Sequence, residues 1–204
     1  DLAGNVPVAV FPCDHHVSDD LAFMRHVRRA VEVVRAQPEF VVLLGIEPSR
    51  PETGYGWIEQ ADIPLPLHGD PVFPILRFWE KPPAAVAQRL MNRGCLWNSF
   101  VMTGWLSTFL DLIELTAPEL IVAFEPVRSA QGASEEWSAA ERVYKALPAM
   151  SFAHRVLAQA SGYLVTMPVK GVEWSDWGSP ERVLASVRKA TRPPAWLARV
   201  QAAG

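Results

Sequence analysis

Five short stretches of this sequence carry side chains able to do chemistry. Pro12-Cys13-Asp14-His15-His16 follows a β-branched apolar run, so Asp14 stands at the C-terminal end of a predicted strand, where open α/β sheets bind ligands. From there Asp14 either reaches a ligand or metal, or caps the next segment while the histidines face solvent. Adjacent residues on an extended chain point opposite ways, which disfavours a zinc site built from His15 and His16 together. Pro51-Glu52-Thr53-Gly54-Tyr55-Gly56-Trp57-Ile58 sets an aromatic ring between two glycines. That pattern lets backbone approach a hydroxyl-bearing ligand, or simply makes a turn with an aromatic lid.

Trp79-Glu80-Lys81-Pro82 delivers an acid and a base side by side. Lys is a point charge suited to phosphate and Glu accepts from hydroxyls; a surface ion pair is the plainer alternative. Leu96-Trp97-Asn98-Ser99-Phe100 embeds an amide and a hydroxyl in an apolar strand, and both groups need partners, from backbone or from ligand. Val172-Glu173-Trp174-Ser175-Asp176-Trp177-Gly178-Ser179 sets Asp176 between two tryptophans, where it caps the following helix or binds something positive such as a metal ion.

The elements that must position these residues read as alternating strands and helices. Val6 to Phe11 and Phe40 to Ile46 are apolar runs that predict strands buried on both faces. Between them, Phe23, Val27, Val31 and Val34 recur at helical spacing opposite a charged face, with Ser18, Asp19 or Asp20 available as cap. This order predicts a βαβ unit and a parallel sheet. Residues 47–71 read as an irregular excursion containing a short strand at Trp57 to Glu59, and Val72 to Trp79 as the next strand. Pro82 and Pro83 open a helix that Gly94 closes. Cys95 to Met102 reads as strand, Leu106 to Leu115 as helix, and residues 118–147 as two helices split at Gly132-Ala133-Ser134. The last third repeats the alternation: helix near Phe152 to Ala160, strand Tyr163 to Pro168, loop Gly171 to Gly178, helix Pro180 to Lys189.

Composition narrows the function classes. The chain has 204 residues, half of them hydrophobic, enough to bury a sizeable core. With 19 Lys and Arg against 22 Asp and Glu, its net charge of -3 lacks the basic excess of a nucleic-acid polymer binder, although a small anion needs only local positive charge. The longest apolar stretch, Phe40 to Ile46, is far shorter than the roughly 18 to 20 residues of a membrane span. No basic segment leads into an apolar one at the start, and the two cysteines, Cys13 and Cys95, have no metal-ligand spacing. These features predict a cytoplasmic protein, with both thiols buried and no membrane partner.

Taken in order, the five segments closely resemble the sugar-1-phosphate nucleotidylyltransferases, and within them the mannose-1-phosphate guanylyltransferases. The matching text is FPCDHHVSDDLAF, LLGIEPSRPETGYGWIE, FWEKPPAAVAQRL, GCLWNSFVM and GVEWSDWGSPERV, running from about Val8 to Leu184. The resemblance implies a Rossmann-like α/β nucleotidyltransferase fold, with a mixed, mainly parallel sheet flanked by helices. It implies transfer of a nucleoside monophosphate from a nucleoside triphosphate, GTP by likeness, to a sugar 1-phosphate, here mannose 1-phosphate, with release of pyrophosphate. Asp14 and Asp176 would hold Mg²⁺, and Lys81 the phosphate of the sugar phosphate. Glu80, Asn98 and Ser99 would meet the sugar, and Gly54, Tyr55 and Gly56 would shape a turn presenting backbone to the ring.

Three departures accompany the resemblance. The family opens with a strand and a Gly-rich loop of the form G-x-G-T-R-L-x-P, and this sequence contains no such segment. The expectation is therefore a partial domain over residues 1–204 that lacks its first βαβ elements, with a tail from about residue 190 outside the core motifs. Phe100 stands where the family usually has Gly after Trp-Asn-Ser. Ser151-Phe152-Ala153 replaces a pattern that ends in Asp. A noncatalytic sugar-phosphate-binding or regulatory protein working through a partner subunit is the alternative. Hydrophobic surface left open by the missing elements would favour a homo-oligomer.

Overall fold

The structure, a computed structural model, describes residues 4–67, 69–189, 194, 196 and 197. Its strands are β1 (Pro7–Val10), β2 (His16–Val17), β3 (Val41–Ile46), β4 (Gly56–Gln60), β5 (Phe73–Glu80), β6 (Leu96–Trp105), β7 (Leu164–Val169) and β8 (Trp174–Ser175). The α-helices are α1 (Asp20–Ala36), α2 (Ala84–Asn92), α3 (Leu106–Thr116), α4 (Pro118–Ser129), α5 (Glu136–Ala146), α6 (Phe152–Arg155) and α7 (Pro180–Lys189).

Alternation along β3 decides the layering, because successive side chains of a strand point to opposite faces. Val42, Leu44 and Ile46 join one core with Phe23, Val27 and Val34 of α1 and Ala87 and Leu90 of α2. Val41 and Leu43 join a second core with Phe109 and Leu112 of α3 and with Val156 and Leu157. The sheet is thus covered on both faces, and every residue of β3 is buried, as its continuous apolar run predicts. Helix α1 begins where Asp19 accepts a 2.8 Å hydrogen bond from the Ala22 amide. Such a cap contributes about 1 kcal/mol.

The main sheet has six strands in the order β1-β6-β3-β7-β5-β4. The α/β class and the mixed sheet agree with expectation; the balance of pairings does not. β1, β3, β4 and β7 run in one direction, but β5 and β6 run against them and lie among them, so among the described residues β3–β7 is the one parallel pair in the sheet. β6 separates β1 from β3, which the strand-helix-strand reading had made neighbours. β1 is accordingly an edge strand, partly exposed rather than buried on both faces. The predicted helix from Phe152 to Ala160 is one α-turn followed by short 3₁₀ turns. Cys95 is buried, but Cys13 is exposed in the loop after β1, which corrects the expectation of two buried thiols. Of the tail beyond residue 190, only Pro194, Trp196 and Leu197 fall within the described residues.

β6 carries a bulge that explains its polar pair. Leu43 pairs with Met102 and Gly45 with Asn98, so three residues of β6, 99–101, oppose Leu44 alone. Phe100 at the centre adopts φ 58°, the left-handed region, which accounts physically for glycine being the usual residue there. The bulge turns Ser99 inward. Its hydroxyl donates to the Leu44 carbonyl at 2.6 Å and accepts from the Val101 amide at 3.1 Å, closing the gap in the ladder. Ser99 is fully buried, so its hydrogen bonding is spent on the sheet, and it does not join the ligand-facing surface expected of it. Ser99→Ala leaves the Leu44 carbonyl without a partner and should lower unfolding free energy by about 1 to 3 kcal/mol. Urea denaturation measures this, and an unchanged midpoint would contradict the role.

Candidate active site

The ribbon of β2 and β8 pairs His16 with Ser175 and Val17 with Trp174. Ser18 extends it, its amide donating to the Glu173 carbonyl at 2.9 Å and its hydroxyl accepting from the Glu173 amide at 2.9 Å. Antiparallel pairing in this register brings the residues before β2 and those after β8 to the same end, so Asp14 and Asp176 share that end despite their separation in the chain, and both act on the His15 imidazole. His15 Nε2 lies 3.8 Å from Asp14 Oδ1. Burial pushes the His15 imidazole below its ordinary pKa and keeps it neutral near pH 7; Asp14, Asp176 and the Ser99 backbone offset this only in part. His15 meets Trp174 edge-on at 5.1 Å, while His16 stacks flat on Trp177 at 5.0 Å. The two imidazoles therefore have different partners, in keeping with the strand argument against a shared ion.

The donor set suits a hard cation. Two carboxylates at one ribbon end supply oxygen ligands, and among the described residues no cluster of three or more His, Cys, Asp and Glu side chains forms a protein-only metal cage. Mg²⁺ commonly takes one or two carboxylates and completes its shell with phosphate oxygens and water, so the residues present fit it.

A second group of residues meets at the β4–β5 hairpin. Gly56 lies opposite Glu80 in the register, and the Lys81 amide donates to the Tyr55 carbonyl at 3.3 Å. A Cβ on Gly56 would sit 3.3 Å from Glu80 Oε2 and 3.6 Å from Asn98 Cβ, which shows how closely the three residues converge. Asn98 Oδ1 accepts from the Phe100 amide at 2.9 Å, leaving its NH₂ group to donate outward. Lys81 is exposed with φ 44°, and it enters none of the ion pairs among the described residues. The surface Glu80–Lys81 pair considered as the plainer alternative is not formed.

Tyr55 and Arg182 join the two groups. The Tyr55 ring is buried against Trp97 and Trp174, each 5.0 Å away, and the Arg182 guanidinium lies 4.5 Å over it. Arg182 Nη1 donates to both oxygens of Asp176, at 3.0 and 2.9 Å, and Nη2 to Glu52 Oε1 at 3.2 Å. Glu52 in turn accepts from the Gly54 amide at 3.0 Å, and its carbonyl accepts from Trp57 Nε1 at 2.8 Å, which fixes the Glu52 to Gly56 turn. Gly54 leaves room for this contact, because a Cβ there would collide with Arg182 Nη2 and push the guanidinium off Glu52. Burial opposes the charge on Arg182, but Asp176, Tyr55 and Glu52 outweigh it and raise the pKa. Sequence reading missed Arg182, since its partners lie 6 and 130 positions away and no local pattern marks it.

Comparison with known proteins bears on this constellation. The family model described as nucleotidyl transferase matches residues 2–192. The chain belongs to the nucleotidyl transferase family. Its relatives include a mannose-1-phosphate guanylyltransferase of Escherichia coli K12, 29% identical over 172 residues, covering 83% of this chain and 35% of the relative. Another is mannose-1-phosphate guanylyltransferase ManC of Salmonella typhimurium, 31% identical over 173 residues with 83% and 35% coverage. The crystal structure of a Thermus thermophilus protein named mannose-1-phosphate geranyltransferase superposes with a TM-score of 0.69 at 31% identity, covering 83% of this chain and 46% of that one. This nucleotidyl transferase domain spans about a third of the length of the curated relatives it matches.

The charge network of the domain has a pH signature. Burial alone would raise the Glu52 pKa, yet the Gly54 amide, Arg50 and Arg182 hold it below the usual glutamate value. Its folded pKa thus lies below the unfolded value of about 4.3, so its stabilisation is complete above that pH and is lost as pH falls through the folded value. The stability difference between wild type and Glu52→Gln in urea unfolding should hold constant from about pH 7 to about pH 5 and shrink below about pH 4. A difference that persists undiminished at about pH 3 would contradict the assignment.

Proposed function

We propose that this domain serves nucleotidyl transfer from GTP to mannose 1-phosphate, giving GDP-mannose and pyrophosphate. The observation that carries the reading is the convergence of Gly56, Glu80 and Asn98, with an exposed Lys81 beside them, next to the ribbon end that bears Asp14 and Asp176. The relatives named mannose-1-phosphate guanylyltransferase support the choice of base and sugar.

In this reading an oxygen of the sugar phosphate attacks the α-phosphorus of the triphosphate, a new P–O bond forms, and the bond to the β-phosphate breaks to release pyrophosphate. Bringing two anions together is the main barrier, so catalysis is positioning and charge neutralisation. Asp14 and Asp176 would hold Mg²⁺, which when bound neutralises phosphate charge between the reactants. Lys81 draws in the phosphate of the sugar phosphate. Glu80 accepts hydrogen bonds from sugar hydroxyls, Asn98 donates to a ring substituent, and Gly56 lets the ring approach backbone closely. Tyr55 and Gly54 hold the turn that sets Gly56 in place.

The test is pyrophosphate release by the protein that carries this domain, with GTP and mannose 1-phosphate against UTP and glucose 1-phosphate. Release is expected with the first pair. Lys81→Ala should raise the KM for mannose 1-phosphate by about tenfold to a hundredfold, the worth of a charge-assisted hydrogen bond, and leave the KM for GTP nearly unchanged. Equal KM values for mannose 1-phosphate in the two proteins would remove Lys81 from the phosphate site, and no release with either pair would overturn the function.

A further inference from the structure

The two carboxylates at the ribbon end are held very differently. Asp14 is open, its side chain 77% exposed, with His15 Nε2 3.8 Å from its Oδ1. Asp176 is closed. Arg182 Nη1 donates to both of its oxygens, and Oδ1 also accepts from the Gly178 amide at 2.9 Å. The Arg182 and Asp176 side chains are only 22% and 24% exposed, so solvent screens this pair less than a surface pair. Any divalent ion that uses Asp176 has to compete with a charge already in place.

We propose that Arg182 is the resident counter-ion of Asp176, a built-in cation that a divalent metal must displace and that re-pairs the carboxylate when the metal leaves. The inference rests on the reading of Asp176 as a metal-holding carboxylate. Arg182 has contacts that survive the displacement. Its Nη2 bond to Glu52 and its seat over the Tyr55 ring do not involve Asp176, so releasing Nη1 re-aims the guanidinium rather than expelling it. The freed Nη1 stays beside a site where arriving phosphates add negative charge. Arg182 is thus a positioning residue: it keeps Asp176 from standing as an uncompensated, partly buried charge before metal arrives, and it lowers the affinity of the empty site for free cations.

The sign of the effect separates this role from that of an ordinary structural ion pair. Neutralising Arg182 leaves Asp176 and Asp14 together without compensation, which strengthens the attraction for a cation. A merely structural pair, once broken, would loosen the 176–178 turn and weaken cation binding. The experiment is a titration with Mn²⁺ alone, followed by electron paramagnetic resonance of the free ion, on wild type and on Arg182→Met, Arg182→Lys, Asp176→Asn and the Arg182→Met/Asp176→Asn double variant. Arg182→Met is expected to bind Mn²⁺ at least about tenfold more tightly than wild type. Arg182→Lys, which restores the charge, should return affinity toward wild type, and the double variant should bind no more tightly than Asp176→Asn. Arg182→Gln carries the same test if the Met variant does not fold. Unchanged or weaker Mn²⁺ binding by a folded Arg182→Met or Arg182→Gln overturns the proposal. Mn²⁺ affinity unaltered by Asp176→Asn overturns the underlying reading of Asp176 instead.

Discussion

Strand β6 has to satisfy three neighbours, β3 on one side and β1 and β4 at opposite ends of the other. Its C-terminal half lies between β1 and β3, and its N-terminal end between β4 and β3, so the pairings β6–β3–β7–β5–β4 return to β6 and close on themselves. A regular strand would keep its side-chain alternation throughout. The bulge at residues 99–101 breaks it, at the cost of a left-handed Phe100, and the Ser99 hydroxyl supplies the hydrogen bond that the ladder loses. Asn98 is thereby left beside Gly56 and Glu80, while Ser99, Val101 and Met102 are buried in the core. The convergence of Gly56, Glu80 and Asn98 is a consequence of how the sheet closes.

Electrostatics completes what the sheet begins. The domain is slightly acidic overall, so any affinity for anions must be local. Lys81 is the exposed cation of the hairpin group. Arg182 is the paired cation of the ribbon group, and Glu52 links it to the turn that carries Gly54, Tyr55 and Gly56. Through these few contacts the carboxylate of Asp176 and the backbone of Gly56 belong to one connected network. Aromatic packing of Tyr55 on Trp97 and Trp174 holds that network against β6 and β8.

Elements with strong local periodicity were legible in the sequence. α1, with its apolar stripe and Asp19 cap, and β3, with its continuous apolar run, lie where the pattern puts them. α7 begins at Pro180 as read. β2 and β8 were not legible, because strands of two residues have no period to detect and exist only through each other. Neighbours in the sheet were not legible either: β1 and β3 enclose β6, which arrives some fifty residues after β3, and nothing local encodes that insertion. Of the candidate site, the acids, the glycines, Lys81 and Asn98 were marked by residue type within short motifs. Ser99 misled because its direction depends on a bulge, and Arg182 stayed hidden because its partners are distant in sequence.

The central claim is that sugar 1-phosphate binds where β4, β5 and β6 meet the β2–β8 ribbon. Amide chemical shifts followed by NMR during titration with mannose 1-phosphate test it most directly. The account predicts that the largest changes fall on Gly56, Glu80, Lys81 and Asn98, with smaller ones at Asp14 and Asp176. Changes confined to other surfaces, such as the α3–α4 face, or no changes at saturating ligand, would contradict it.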